Sequence, residues 1–435
     1  MTKLQIFLVV FVLFIGLVLK LHNYSIYPQR GATSDEYSYS FLGVSLLAKH
    51  VPISWSAISA YKHRSDLTIK NLYFPIVYPY FDHPPLNGLV VGGWALLFGQ
   101  DTFSKIELKT IRLVPIFLSM VSSVIVFILG FRLYNFKTGT WALLIYSTTA
   151  IFVMNGRVVL AENLLAPLLL ASVYLFHIFR ANMNLKKTII ISILCGLSFW
   201  TKELGIAVLL SMIYLFIAEK IKIKFTLGLI ATSLFFVLLY ALYGAYYDWE
   251  VFKAVVSIQS DRVVGPETLL YVTSIPIIIN KIYYDGWYFL GFISFFLSFL
   301  DYKKHRFILV PAFIYFLLMI FSLTERGEMG WYLIPLFPFM AIFTANFLVE
   351  GLEKKNWSIF ALLIFVGLYE VQYLFKSNFG LTSMQFRMIL ILMFCPFLLA
   401  YAFKKEQLFS KLGNAAFYIL IFGNILLTYN YVHPS

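Results

Sequence analysis

The sequence is poor in charged residues and almost free of cysteine. Asp, Glu, Lys and Arg make up only 13% of its 435 residues, and there are two cysteines. So apolar a chain is not intrinsically disordered, and two cysteines are too few for a disulfide scaffold. Cys195 and Cys395 both lie in apolar segments, where they are expected to pack as small core residues. They predict neither a disulfide nor a metal site.

Most residues of the chain are apolar. Hydrophobic residues make up 60% of the chain, aromatic residues 19%, and the mean hydropathy is +0.82. A water-soluble protein of this composition has too few polar groups to cover its surface, so many side chains must face lipid. The composition excludes a cytosolic enzyme and predicts an all-α polytopic membrane protein.

The charges that are present are mostly positive. Lys and Arg total 34 against 21 Asp and Glu, which gives a net charge of +13. The sequence has no nucleic-acid-binding motif and no long basic tract, so nucleic acid is not an expected partner. The basic residues are interpreted as cytoplasmic loops held near anionic lipid headgroups.

Apolar runs predict about thirteen transmembrane helices. Leu4 to Leu21 is interpreted as a retained first helix with its N-terminus in the cytoplasm, not as a cleaved signal peptide. The other twelve helices are expected near residues 111–131, 138–154, 160–179, 188–201, 204–219, 226–247, 283–300, 307–323, 331–349, 357–375, 385–403 and 415–431.

The segment 22–111 is expected to be a long first extracytoplasmic loop that holds amphipathic interfacial helices. Tyr37, Phe41 and Val44 recur at helical spacing and predict a helix lying on the membrane surface. The apolar run Leu86 to Gly99 is only fourteen residues long, which suits an interfacial or re-entrant segment.

Basic residues alternate between successive loops. Six alternate loops hold two or three basic residues each, whereas the short loops between them hold one each. By the positive-inside rule the basic-rich loops are cytoplasmic, which places 22–111 and a second loop, 248–282, outside. An extra crossing at 86–99 would invert every later loop, so that run is predicted not to span.

An acidic pair stands at the start of the predicted surface helix, in Thr33-Ser34-Asp35-Glu36. Thr33 and Glu36 fit a capping box, and acids favour helix N-termini, so a purely structural interpretation stays open. The functional alternative is a carboxylate at the membrane surface that accepts a proton from a hydroxyl nucleophile.

Other polar residues are expected at the outer ends of helices. His83, within Asp82-His83-Pro84-Pro85, is able to donate a hydrogen bond to a phosphate or a sugar oxygen. Charged side chains within the membrane are costly unless they are paired or have a function. Arg157 and Glu162 are therefore expected either to form a salt bridge with each other or to take part in the activity. Arg112, Lys202 and Arg326 would suit a lipid phosphate, although Arg112 alone is also explained by snorkelling.

These elements, in this order, resemble the GT-C glycosyltransferases of the protein O-mannosyltransferase and aminoarabinose (lipid A) transferase type. Asp35-Glu36 follows the first helix, and Asp82-His83-Pro84-Pro85-Leu86 is similar to that family's Asp-x-His-Pro-Pro-Leu, with the Asp shifted by one position. Later segments that resemble family elements are Thr110 to Pro115, Gly156-Arg157 with Glu162, Gly196 to Glu203, and Gly330 to Pro338.

The resemblance implies the GT-C fold, with residues 1–350 as the catalytic module and 351–435 as C-terminal transmembrane helices. It implies an inverting enzyme of the cell or plasma membrane with its active site on the extracytoplasmic side. The sugar donor would be carried on polyprenyl or dolichyl phosphate, and the acceptor would be a hydroxyl of a protein, lipid or glycan. No cofactor is required, and a divalent metal between acids is allowed.

The resemblance also implies a role for each candidate site residue. Asp35 is expected to act as general base, with Glu36 and Glu162 as supporting acids. The residues expected to bind the donor phosphate are Arg112, Arg157, Lys202 and Arg326. The residues expected to line the substrate cavity are His83 and Tyr332.

Two alternatives stay open. A multi-pass secondary transporter predicts charges at the bilayer midplane and paired broken helices, and the sequence indicates neither. A polysaccharide polymerase or ligase with an undecaprenyl-diphosphate donor would instead favour a large late outer loop as its site.

Cysteine labelling tests the predicted topology. In a chain with Cys195 and Cys395 replaced by Ser, Lys62→Cys and Lys105→Cys should both react with an impermeant maleimide in intact cells, because both positions are expected outside. Lys186→Cys, on a predicted cytoplasmic loop, is the protected control. Labelling at 62 with protection at 105 would mean that 86–99 crosses the membrane.

Overall fold

The computed structural model describes residues 1–69, 71–260, 266–323, 330–354, 359, 362–363, 365–370 and 382–434. Its helices are α1 Lys3–Leu21, α2 Asp35–Lys49, α3 Leu86–Leu97, α4 Leu108–Ile111, α5 Leu113–Leu133, α6 Phe136–Thr148, α7 Ala150–Asn155, α8 Ala161–Phe179, α9 Leu185–Thr201, α10 Ile206–Ala218, α11 Ile223–Tyr247, α12 Trp249–Ser260, α13 Pro266–Ser274, α14 Gly286–Leu297, α15 Tyr302–Ile320, α16 Phe337–Glu353, α17 Ser383–Ala402 and α18 Glu406–Tyr429.

Helices cover most of each predicted span except 357–375, which lies largely outside the described residues. The span predicted at 138–154 is divided into α6 and α7 at Thr149, which has an extended backbone. Within the described residues, five helical stretches are long and apolar enough to cross a membrane: Lys3–Leu21, Leu108–Leu133, Ala161–Asn182, Ile223–Tyr247 and Gln407–Tyr429. The total of thirteen spans therefore stays a prediction.

The segment 22–111, predicted from the sequence to be the first outer loop, contains a sheet that was not predicted. Strands β1 Ser54–Trp55, β2 His63–Ile69 and β3 Leu72–Tyr78 pair antiparallel in the order β1-β3-β2. β3 is rich in aromatic and β-branched residues, which favour strands. The charged residues of β2 obscure the alternating pattern, because this edge strand faces solvent along most of its length.

Two further strands, β4 Ile277–Ile278 and β5 Lys281–Ile282, form a short hairpin in the second outer loop. This hairpin contacts the α7 end of the bundle. The Asn155 side chain donates to the Ile277 carbonyl at 3.1 Å and accepts from the Ile279 N–H at 2.9 Å. The second outer loop is therefore tied to the junction between α7 and α8.

α2 does not have the exposed face that a helix lying on the membrane surface would present. Every residue of α2 from Glu36 to Ser45 is buried, because α3 and the sheet pack over the face expected to meet headgroups. α2 and α3 approach closely at Gly43, Gly88 and Gly92, where a Cβ on Gly43 would overlap the Gly88 carbonyl oxygen. Small residues permit such close helix contacts, and the contact holds α2 in place.

Substitution of the α2–α3 contact tests this packing. Gly43→Ala should lower the free energy of unfolding by about 1–3 kcal/mol, because the added methyl group overlaps backbone atoms that cannot rotate away. Gly93→Ala is the matched control on α3, since its Cβ would only touch the Leu47 side chain at 3.4 Å. Thermal unfolding of the purified proteins measures both, and equal stability of the two variants would contradict the close contact.

Candidate functional site

Glu36 and Arg112 form a buried bidentate ion pair between α2 and the start of α5. Arg112 donates from Nε to Glu36 Oε1 at 2.8 Å and from Nη2 to Oε2 at 2.7 Å, and both side chains are at most 1% exposed. Arg112 also donates to the Tyr24 carbonyl at 2.7 Å, and the Val159 N–H donates to Glu36 Oε1 at 3.1 Å. The pair therefore joins four separate segments.

This arrangement corrects the capping interpretation of Glu36. The N-cap of α2 is Ser34, no side chain caps the helix, and the Glu36 carboxylate turns to Arg112 instead of the local backbone. The Arg112 guanidinium is likewise inside the protein and does not snorkel. The predicted catalytic and phosphate-binding roles of these two residues stay predictions.

Asp35, the neighbour of Glu36, has a different environment. It is half-buried, and its carboxylate has no hydrogen bond or ion pair with any other described residue. Burial raises the pKa of Asp35 to about 6, opposed by the Lys202 ammonium and reinforced by the carboxylates of Glu162, Asp82 and Glu36. Asp35 therefore faces a group of charges drawn from distant parts of the chain.

Lys202 is held between Glu162 and an aromatic ring. Its ammonium forms an ion pair with Glu162 Oε1 and lies 3.8 Å from the centre of the Tyr332 ring. Glu162 Oε2 is buried and accepts no hydrogen bond from the described residues. Because Glu162 pairs with Lys202, the predicted alternative of a mutual Arg157–Glu162 salt bridge is wrong.

A cavity of about 340 Å³ opens beside this ion pair. Its polar lining includes Asp82, His83, Lys202, Glu203 and Tyr332. Its apolar lining includes Leu204 and Ile206 from the start of α10, Val256 from α12 and Leu318 from α15. A cavity lined by both charged and aliphatic side chains suits an amphiphilic ligand.

The predicted cavity residues His83 and Tyr332 and the predicted cation Lys202 all lie in this cavity. Asp82 and Glu203 lie there too, although the sequence analysis gave neither a role. Tyr61 donates a hydrogen bond to Asp82, and burial raises the pKa of Asp82 to about 6 against the hydrogen bonds from Ser56 and Tyr61. The position of Asp82 next to His83 in the sequence could have indicated that Asp82 belongs to the site. The sequence gives no indication of its hydrogen bond with Tyr61, which is 21 residues away.

Arg157, another predicted cation, does not line this cavity. Arg157 is 1% exposed, donates to the His22 carbonyl at 2.6 Å and contacts the Met154 sulfur, and it pairs with no carboxylate of the described residues. Arg326 falls in 324–329, outside the described residues. Among the residues that the structure describes, no group of three or more His, Cys, Asp or Glu side chains converges as a metal ion would require.

Comparison with known proteins identifies the family to which this arrangement is similar. Residues 82–243 match the family model of dolichyl-phosphate-mannose-protein mannosyltransferase. That segment contains the predicted site residues His83, Arg112, Arg157, Glu162 and Lys202, together with Asp82 and Glu203 of the cavity. No curated protein matches the sequence.

Solved structures share the fold at low identity. The archaeal oligosaccharyltransferase AglB from Archaeoglobus fulgidus, in complex with an inhibitory peptide and a dolichol-phosphate, superposes with a TM-score of 0.53 at 11% identity. The match covers all of this chain, which spans 56% of that one. ArnT from Cupriavidus metallidurans, bound to undecaprenyl phosphate, superposes with a TM-score of 0.54 at 13% identity. That match covers 97% of this chain and 77% of the ArnT chain. At these low identities, the superpositions show a common fold and nothing beyond it.

Removal of one partner tests the buried pair. Arg112→Met should lower the free energy of unfolding by about 3–5 kcal/mol, because it leaves the Glu36 carboxylate buried without its counter-charge. The double variant Glu36→Gln with Arg112→Met should recover part of that loss in a thermal unfolding assay. Arg64→Met, which removes a solvent-exposed partner of Asp66, should change stability little. Equal losses for Arg112→Met and Arg64→Met would contradict this account.

Proposed function

We propose that this chain is a GT-C glycosyltransferase that transfers a sugar from a polyprenyl or dolichyl phosphate carrier to an acceptor hydroxyl, which the family-model match and the shared fold support. The proposed enzyme is an inverting, multi-pass membrane protein that works at the extracytoplasmic face. One observation carries the proposal: Lys202, paired with Glu162, lines a cavity that also has aliphatic side chains, and both charges act electrostatically on the Asp35 carboxylate.

The donor side of the proposed reaction depends on Lys202. Two neighbours of the same fold were solved with dolichol-phosphate and undecaprenyl phosphate, which are lipid phosphates. In this chain the Lys202 ammonium would contact the carrier phosphate, while the isoprenoid chain would follow Leu204, Ile206 and Leu318. As the bond between the sugar carbon and the phosphate oxygen breaks, negative charge grows on the phosphate, and a preorganised cation stabilises that change.

The acceptor side depends on Asp35. The acceptor oxygen forms a bond to the anomeric carbon on the face opposite the departing phosphate, so the sugar configuration is inverted. The hydroxyl proton passes to the Asp35 carboxylate as that bond forms, because an alcohol is a poor nucleophile while it keeps its proton. Asp35 suits this role better than Glu36, because both oxygens of Glu36 already accept hydrogen bonds from Arg112.

The other predicted residues either position these two or contact the substrates. Glu162 would hold Lys202 in position and balance its charge, and Glu36 with Arg112 would hold the start of α2 and therefore Asp35. His83 and Tyr332 would orient the sugar or the acceptor. Arg157 and Arg326 remain proposed contacts of the donor phosphate. No cofactor is proposed, and residues 1–350 form the proposed catalytic module.

The substitution Asp35→Asn tests whether Asp35 is the general base. Asp35→Asn keeps the size of the side chain but cannot take the acceptor proton, so transfer should fall by roughly two to four orders of magnitude in a folded, membrane-inserted protein. The measurement is mass spectrometry of glycans and glycoproteins in a deletion strain complemented with each variant. Expression is matched by immunoblot.

Two features separate catalysis from structure in this test. Asp66→Asn, an exposed carboxylate in the same outer loop, should leave transfer unchanged. Because the pKa of Asp35 is about 6, wild-type activity on the donor should rise with pH through that value, as the base must be deprotonated to act. Near-normal transfer by Asp35→Asn would remove Asp35 from the mechanism. A deletion strain with unchanged glycans would favour the transporter alternative.

A further inference from the structure

Asp82 lines the candidate cavity, yet the proposed reaction leaves it without a role. Lys202, which would contact the donor phosphate, lines the same cavity, and its charge is matched by Glu162. Asp82 and Glu203 add two further carboxylates to the lining. A carboxylate repels a phosphate and accepts hydrogen bonds, so the part of a ligand that meets Asp82 must offer hydrogen-bond donors.

The residues on both sides of Asp82 are held in place by aromatic contacts. Phe81 is buried, and its ring packs edge-to-face against Phe252 of α12 with 5.4 Å between the ring centres. On the other side, the His83 ring stacks on Tyr39 of α2 with 5.1 Å between the centres. Because packed aromatic rings have preferred geometries, these contacts give Asp82 a defined position in the cavity wall.

The Tyr61 hydroxyl fixes the direction of the Asp82 carboxylate. It donates to Asp82 Oδ1 at 2.5 Å and accepts from the Phe81 N–H at 2.8 Å. Because the phenol oxygen already accepts from the backbone, its single proton is directed at the carboxylate. Ser56 also hydrogen-bonds to Asp82. A carboxylate has roughly four acceptor positions, so these two hydrogen bonds leave Asp82 able to accept others from a ligand in the cavity.

The same hydrogen bonds help to keep Asp82 ionised at neutral pH. Burial raises the pKa of Asp82 to about 6, the hydrogen bonds from Ser56 and Tyr61 oppose that rise, and the Glu203 carboxylate adds to it. The other titratable side chains that line the cavity are His83, Lys202 and Tyr332. At neutral pH Asp82 is therefore mostly a carboxylate, which accepts hydrogen bonds and donates none.

The sugar of the donor is the ligand part that offers the required donors. In the proposed reaction the sugar is bonded directly to the phosphate, so a phosphate at Lys202 brings the sugar into the cavity that Asp82 lines. Neighbouring sugar hydroxyls are able to donate to the oxygens of one carboxylate. A metal ion is the other ligand that carboxylates favour, but among the described residues no three His, Cys, Asp or Glu side chains converge as a metal ion would require.

We propose that Asp82 recognises the sugar of the donor by accepting hydrogen bonds from its hydroxyls, and that Tyr61 is the positioning residue that directs the Asp82 carboxylate. The assignment rests on the proposed function, because it requires a sugar joined to the phosphate at Lys202. Asp82 then helps to determine which sugar is accepted. This role is separate from proton transfer to Asp35 and from the contact of Lys202 with the phosphate.

Binding of carriers with and without a sugar tests the assignment. Native mass spectrometry of the purified full chain measures the affinities for undecaprenyl phosphate and for its mannosyl and glucosyl esters. The measured quantity is the ratio of the affinity for an ester to the affinity for the bare carrier. For at least one of the two sugars, Asp82→Asn should lower this ratio about tenfold, the effect of a charge-assisted hydrogen bond. Binding of the bare carrier should persist, because Lys202 is still present.

Two tyrosines provide matched variants. Tyr61→Phe should lower the same ratio, because the Asp82 carboxylate loses the hydrogen bond that directs it. Tyr73→Phe removes a similar hydrogen bond in the same segment, from Tyr73 to the exposed Asp66 at 2.7 Å, and should leave the ratio unchanged.

The pH dependence separates positioning from a general loss of structure. In the wild type the ratio should rise with pH through about 6, because the ionised Asp82 is the form that accepts the sugar hydroxyls. In Tyr61→Phe the midpoint of this rise should move to higher pH, because the hydrogen bond that favours the ionised form is gone. A variant that was only less stable would keep the wild-type midpoint.

The outcomes distinguish this assignment from the proposed function. A wild type that binds neither the bare carrier nor its esters would overturn the proposed function and the assignment with it. A wild type that binds them, with a ratio that is unchanged in Asp82→Asn, would overturn the assignment alone. If Asp82→Asn does not fold, an unchanged ratio in Tyr61→Phe has the same meaning. Equal effects of Tyr61→Phe and Tyr73→Phe, or an unmoved pH midpoint, would overturn the positioning role of Tyr61.

Discussion

The buried ion pair between Glu36 and Arg112 is the interaction that holds α2 against the rest of the helical bundle. It connects the first residues of α2 to the start of α5, and its additional hydrogen bonds reach Tyr24 and the backbone before α8. A pair buried this completely is stable only because every charged atom finds a partner. Its consequence is positional: the residue before Glu36 is fixed beside the charges of α8 and of the loop after α9.

Asp35 gains its properties from that placement. A carboxylate at a helix start in water would be an ordinary surface acid. Here burial and three neighbouring carboxylates raise its pKa to about 6, while Lys202 opposes them. The same carboxylate has no partner among the described residues, whereas Glu36, one position later, has three hydrogen bonds. Two adjacent acids therefore have separate proposed roles, one in proton transfer and the other in support of the fold.

Local patterns in the sequence determined much of the fold. Long apolar runs predicted the helices with small errors at their ends, because a helix depends on hydrophobic residues within a few turns. The His83 and Tyr332 positions and the Lys202 cation were also predicted, since the order of short motifs along the chain resembles one family. The sheet of the first outer loop was missed, because the charged edge strand does not show alternating hydrophobicity.

The tertiary structure alone decided which charges meet. Glu36 had a plausible local partner in its own helix cap, and Glu162 had Arg157 nearby, yet their actual partners are Arg112 and Lys202, 76 and 40 residues away. The sequence determined that these groups lie at helix ends. It did not determine their pairing, because an ion pair forms between the charges that packing brings within a few ångströms, whatever their separation along the chain.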